Sequence, residues 1–326
     1  MNIGSFNIQN ISLTKISNKF ILDSIIKIIL KYDILFILEV CGNKQEAIQL
    51  FDIIISKLNK KYKYFLSNKT GKTSSSAEYI CCLYLDNLIL TPIQLSLIDN
   101  SILTLFDRLP FIAKININDY NIIFIVNHIS PKNVLTELNA LSDLFDSIYD
   151  INNYYILIGD YNAGGTFLNN KEQKSCKLFQ NKNLSLLSDN EITNLGKKSE
   201  NYDRIFCSNN TINILNKIDD NEIGLNSYCD VDNYYNRVDI ICSAESIKKL
   251  FNQYNNINQL NLIQYLKTSK IFLKKINQTN QILESINLEE DIEKNIINSL
   301  NTIKQIVLKK CKLISDHFPI YCQLKL

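Results

Sequence analysis

Tyr154-Tyr155-Ile156-Leu157-Ile158-Gly159-Asp160-Tyr161-Asn162-Ala163 is an apolar run that stops at a glycine and releases a carboxylate and an amide two positions apart. A short continuous apolar run bounded by a turn residue is the pattern of a buried strand. The same layout recurs along the chain. Ile34-Leu35-Phe36-Ile37-Leu38 ends in Glu39, and Ile122-Ile123-Phe124-Ile125-Val126-Asn127 ends in His128. Ser315-Asp316-His317-Phe318-Pro319-Ile320 opens the last strand. An ionised carboxylate at such a place is costly unless a cation or a donor meets it.

Working outward, Ile3–Ile8 reads as a strand, and residues 18–31 as an amphipathic helix with Ile21, Leu22, Ile25, Ile28 and Ile29 on one side. Further strands are predicted at Asp33–Glu39, Tyr62–Leu66, Glu78–Leu85, Phe111–Ile117, Ile122–Val126 and Phe318–Leu324, with helices over 43–58 and 133–149. This mixture predicts an α+β fold of two packed, mixed β-sheets flanked by helices. From 208 to 310 the chain turns rich in Asn, Lys and Ile, and residues 280–310 carry a helical period through Ile282, Ile286, Ile292, Ile296, Leu300, Ile303 and Val307. The expected organisation is one domain of 1–207 plus 311–326, with a largely helical insertion at 208–310 that leaves room for an unknown partner.

The chain has 326 residues and a formal charge of +2, from 35 basic and 33 acidic residues. Binding nucleic acid through bulk electrostatics is not the expectation at such a balance; any contact must come from local groups. The nine cysteines have no disulfide or zinc spacing, so a reducing, intracellular compartment is expected, with no recognisable signal peptide. The apolar stretch from Phe20 to Val40 is broken by Asp23, Lys27, Lys31 and Asp33, too many charges for a transmembrane segment.

The chain keeps only two histidines, His128 and His317, each at a strand end beside polar residues. Imidazole moves protons near neutral pH, so the pair fits general acid and base work. Asp, Glu and Asn oxygens at neighbouring strand ends suit a hard cation such as Mg²⁺.

These segments resemble, in order, elements of deoxyribonuclease I and its endonuclease/exonuclease/phosphatase superfamily. They are Ser5-Phe6-Asn7-Ile8-Gln9, Leu38-Glu39-Val40, Ser76-Ala77-Glu78-Tyr79, Arg108-Leu109-Pro110, Asn127-His128, Gly159-Asp160-Tyr161-Asn162-Ala163, Tyr202-Asp203-Arg204-Ile205 and Ser315-Asp316-His317-Phe318-Pro319. The resemblance implies a four-layered α/β-sandwich and a metal-dependent endonuclease that cuts DNA with low sequence specificity, leaving 5′-phosphate and 3′-hydroxyl ends. It implies that Glu39, with Asn7 and Asp316, holds Mg²⁺ (or Mn²⁺ or Ca²⁺), and that Asp160 and Asn162 position the phosphate or water. It further implies that His128, oriented by Glu78, and His317, oriented by Asp203, are the acid and base, and that Arg108 contacts the DNA backbone. Asp239, in Asn236-Arg237-Val238-Asp239-Ile240, is a rival to Asp203.

The chain departs from that pattern where deoxyribonuclease I grips DNA. Gln9 and Cys41 replace arginines, and Ser76 replaces a tyrosine. The loop Asn68-Lys69-Thr70-Gly71-Lys72-Thr73 still offers Lys69 and Lys72 to a phosphate backbone, and Gln9 joins them and Arg108 as a candidate substrate contact. A phosphoesterase acting on sphingomyelin or inositol phosphates is therefore the alternative. A non-enzymatic interaction protein is a third reading; a decayed site should have lost one of these polar residues, and none is missing.

Overall fold

The computed structural model describes residues 1–187 apart from 75, together with 193–194, 200–216, 218–220, 225–227, 229–231, 309 and 312–325. Two compact units divide the chain, Met1–Asp232 with Asp316–Leu326, and Asn233–Ser315. The sheets and the site lie in the first.

The strands are β1 (Asn2–Ile11), β2 (Ile34–Val40), β3 (Tyr62–Leu66), β4 (Tyr79–Leu85), β5 (Leu90–Pro92), β6 (Phe111–Ile117) and β7 (Tyr120–His128). They continue with β8 (Tyr154–Asp160), β9 (Leu184–Leu186), β10 (Asp203–Ser208), β11 (Ile218–Asp220), β12 (Leu225–Ser227), β13 (Cys229–Val231) and β14 (Ile320–Gln323). The α-helices are α1 (Leu13–Ile16), α2 (Lys19–Ile29), α3 (Lys44–Ser56), α4 (Asn100–Leu103), α5 (Val134–Ile148), α6 (Asn170–Ser175) and α7 (Lys177–Gln180).

One six-stranded sheet runs β13-β14-β1-β2-β4-β3, the other β5-β6-β7-β8-β10-β9. Each contains one parallel pair, β1 with β2 and β7 with β8, among antiparallel neighbours. Side chains from the two inner faces meet between the sheets, as where Phe36 lies 5.3 Å from Phe124, ring centre to ring centre. Burying each such side chain contributes about 1.5–3 kcal/mol. Helices pack outside. The Asn43–Glu46 capping box starts α3, which buries Ala47, Leu50, Phe51 and Ile54. The apolar stripe of α5, Val134, Leu138, Leu141, Leu144 and Phe145, covers the second sheet. Helix, sheet, sheet, helix is the predicted sandwich.

Residues 209–231, counted with the insertion in the sequence reading, carry a 3-10 helix at Asn209–Ile214 and the short strands β11 to β13. Because β13 pairs with β14, the first unit runs to Asp232 and not only to 207. Three-residue strands have too little period to read from sequence. Residues 280–308 of the expected helix lie outside the described residues. No described helix is long and apolar enough to cross a membrane.

Candidate active site

Register places the polar strand ends in one row. Parallel pairing of β7 with β8 sets His128 beside Asp160, and antiparallel pairing of β8 with β10 sets Asp203 on the other side. Gly159 is required for this approach: it has φ +157°, and a Cβ there would lie 1.9 Å from the Asn127 carbonyl oxygen. Asn162, at φ 47°, turns the chain back. Its backbone N–H donates to Asp160 Oδ1 at 3.0 Å and its Nδ2 to the Ile129 carbonyl at 2.9 Å.

The opposite sheet supplies Asn7 and Glu39. Between Ile37 and Val40 the register of β2 against β4 shifts, and Glu39 sits in that irregularity at φ 58°. A non-glycine residue there is strained and re-aimed off the regular pleat. Asn7 Nδ2 donates to Glu39 Oε1 at 2.8 Å and to Asp160 Oδ2 at 2.9 Å, tying the two sheets together at the site. Asn10 N–H donates to Glu39 Oε2 at 2.9 Å.

Each imidazole has its own carboxylate. His128 Nδ1 lies 2.8 Å from Glu78 Oε1, and Arg108 Nε holds Glu78 Oε2 at 3.0 Å. His317 Nδ1 lies 2.8 Å from Asp203 Oδ2; Asp239 lies outside the described residues. The opposite nitrogens converge: His128 Nε2 and His317 Nε2 stand 3.6 Å and 3.5 Å from the same atom, Asp160 Oδ2. Burial, the largest single influence, pulls both imidazoles down, but the surrounding carboxylates together outweigh it. His128 rises to about 9 through Glu78 and Asp160, and His317 to about 10 through Asp203 and Asp160. The two imidazoliums in turn hold Asp160 below its usual range against the opposing effect of burial.

The carboxylates of Glu39 and Asp160, bridged by the Asn7 amide N–H groups, supply oxygen donors of the kind a hard cation takes. Ligand atoms of Asp160, Asp203 and His317 also lie within 4.8 Å of one another. Asp203 and His317 are also hydrogen-bonded to each other there. Asp316 accepts from Gln9 Nε2 at 3.0 Å, which couples Gln9 to that carboxylate. Arg108 Nη1 is buried without a hydrogen-bond partner among the described residues, which fits an anion. Lys69 Nζ donates to the Gly42 carbonyl at 2.7 Å and lies 5.6 Å from the centre of the Tyr79 ring. Lys72 is anchored through its backbone N–H, 2.9 Å from Asp107 Oδ1. Neither lysine is drawn into the histidine cluster by these contacts.

Two participants carried no sequence signal. Thr193 Oγ1 accepts from the N–H groups of Tyr202 and Asp203, both at 3.0 Å. Lys15 donates from Nζ to the Gln9 carbonyl and feels the charges of Glu39 and Asp316.

Two histidine–carboxylate pairs around an acidic, oxygen-rich centre, on two packed sheets, define a phosphoesterase-type site on the endonuclease/exonuclease/phosphatase fold. A solved endonuclease/exonuclease/phosphatase family protein from Leptotrichia buccalis shares that fold, with a TM-score of 0.52 at 12% identity, the whole of both chains being covered. Among curated proteins, the chain is 28% identical over 215 residues to deoxyribonuclease-1-like 1 of Cricetulus griseus, covering 62% of this chain and 69% of that protein. It is 27% identical over 224 residues to human deoxyribonuclease gamma, covering 63% and 71%. No protein-family model matches the chain.

Proposed function

We propose that the chain is a metal-dependent, deoxyribonuclease I-like endonuclease that hydrolyses DNA to 5′-phosphate and 3′-hydroxyl ends. The observation that carries this reading is the convergence of His128 Nε2 and His317 Nε2 on Asp160 Oδ2. A phosphodiester is anionic and its alkoxide is a poor leaving group, so hydrolysis needs a base for water, an acid for the leaving oxygen and charge neutralisation. A bound Mg²⁺ (or Mn²⁺ or Ca²⁺) held by Glu39 and Asn7, with Asp160 beside them and Asp316 at the rim, would offset charge on the phosphoryl oxygens. The imidazole that has given up its own proton takes that of the attacking water as the new P–O bond forms. The other delivers its proton to the departing 3′ oxygen as the old P–O bond breaks. Glu78 and Asp203 fix the ring orientations, Asp160 and Asn162 position the phosphate or the water, and Arg108 receives the phosphate through Nη1. Lys69 and Lys72 line the approach of the backbone.

The two histidines perform acid–base work only on a phosphate that reaches them, and the rim is poor in cations. Cys41 Sγ lies 3.5 Å from Asn10 Oδ1, and Ser76 Oγ lies 3.1 Å from Thr73 Oγ1, so neither offers a groove contact like those it replaces. That rim favours the second reading, a sphingomyelin or inositol-phosphate esterase with the same centre. Purified protein with Mg²⁺ should nick supercoiled plasmid DNA and leave sphingomyelin and inositol phosphates intact; the reverse pattern transfers the assignment to the lipid class. An intracellular setting is part of the proposal, supported by free thiols at Cys41, Cys81, Cys82, Cys176, Cys207 and Cys322. A partner for residues 208–310 has no support in any contact described above.

A further inference from the structure

Glu137 lies on the buried face of α5, fully out of solvent, and has no part in the roles assigned above. Two backbone N–H groups face its carboxylate: Ser130 N–H donates to Oε2 at 3.4 Å, and the Asp107 N–H lies near enough to favour its charged form. Its other oxygen, Oε1, has no hydrogen-bond partner among the described residues. A buried carboxylate with so little compensation needs a reason.

The two amides belong to different parts of the site. Ser130 lies two residues beyond His128, past the end of β7. Asp107 directly precedes Arg108, whose Nε holds Glu78, whose Oε1 meets His128 Nδ1. The contacts therefore close a ring from Glu137 through Asp107, Arg108, Glu78 and His128 to Ser130 and back. The loop carrying Glu78 joins the same ring, because Asp107 Oδ1 accepts from Lys72 N–H at 2.9 Å and Arg108 Nε donates to the Ser76 carbonyl at 2.9 Å.

We propose that Glu137 is a positioning residue of the nuclease. One carboxylate grips the Ser130 and Asp107 amides, sets the separation between the end of β7 and the Arg108 loop, and so holds Glu78 against His128. The inference rests on the nuclease reading and deepens it. Hydrogen bonds to an ionised acceptor are stronger than those to a neutral one, so the grip weakens when the acid takes up a proton. Burial, reinforced by Asp107, pushes Glu137 up to about 7 against the pull of the two amides and Arg108. Asp107 and Arg108 are the charged groups that face it, and neither lies on α5.

The test compares the protein with its Glu137→Gln variant on supercoiled plasmid with Mg²⁺ from acid to alkaline pH, alongside thermal melts. The expected result is a kcat lowered about tenfold with a smaller change in KM, at a loss of supporting geometry typical of outer-shell partners. The limb of the wild-type kcat profile near pH 7 should also disappear in the variant. An unchanged kcat and profile, or a fall in kcat that only follows unfolded protein with the limb intact, overturns the proposal. A second measurement needs no variant: amide resonances of Ser130 and Asp107 in the wild type should titrate together with one midpoint. Independent or absent titration overturns the proposal, and this readout decides should the variant not fold. A wild type that fails to nick any plasmid refutes the nuclease reading, while the amide titration still judges the ring.

Discussion

His128 and His317 reach the same oxygen of Asp160, each with Nε2 about equally far from it and each backed at Nδ1 by a private carboxylate. Two imidazoles separated by a single acceptor can exchange roles between donor and acceptor without moving a backbone, the arrangement that paired acid–base chemistry on a phosphodiester requires.

His128→Ala and His317→Ala should each lower Mg²⁺-dependent plasmid nicking by about 10²–10⁴-fold. Gel conversion of supercoiled to open-circle DNA gives the rate. Nicking at the wild-type rate in either variant removes that histidine from the chemistry.

Asp203→Asn keeps the shape beside His317 and removes the charge. With the carboxylate gone, the effect of burial is less opposed, and the His317 proton should be released at lower pH than in the wild type. NMR titration of the two imidazoles reads this directly, His128 serving as the internal reference. A His317 midpoint that does not fall shows that Asp203 does not support the imidazolium.

Stability of the metal-free protein should decline with rising pH. Both histidines have folded values, about 9 and about 10, above the usual 6.5, so their contribution is complete below 6.5 and is lost as pH rises through the folded values. Glu137, raised from 4.5 to about 7, acts in the same direction at lower pH. Urea midpoints measured in EDTA should fall steadily across the alkaline range, and a double asparagine variant at 128 and 317 should flatten that part of the curve. A flat wild-type curve would contradict the ion-pair picture.

Glu39→Gln should raise the Mg²⁺ concentration needed for half-maximal nicking by about 10-fold or more while shifting Tm only slightly, since Glu39 sits at the rim of the core in a strained conformation. A large drop in Tm with a normal metal titration would make Glu39 a structural residue.

Gly159→Ala should destabilise the fold by more than about 3 kcal/mol, because its methyl group would collide with the Asn127 carbonyl at 1.9 Å in a conformation hostile to side chains. Soluble, cooperative folding of this variant at the wild-type midpoint would show that β7 and β8 can separate there.

Much of this site was legible because its members close apolar runs: Glu39, His128 and Asp160 follow buried strands, and His317 precedes one. Pattern alone places such residues at sheet rims. The parts that escaped depend on geometry between distant segments. Nothing in the local sequence of Glu39 announces the left-handed twist that turns it toward Asn7. Glu137 looks like an ordinary acid near the start of an amphipathic helix, and only the return of the Asp107 loop reveals why it is buried. The hydrogen bond from Gln9 to Asp316, which arrives from the far end of the chain, likewise has no local sequence signal. The boundary at 207 moved because a three-residue strand is too short to have a period.

The row formed by His128, Asp160 and Asp203 crosses adjacent strands, so its spacing is dictated by main-chain pairing. Backbone ladders act as a ruler that side-chain replacement at the rim does not stretch. Positions 9, 41 and 76 can thus be rewritten to admit a different ester while proton-transfer distances stay as they are. Grafting arginines at 9 and 41 and a tyrosine at 76 is then a change of grip and leaves the blade untouched.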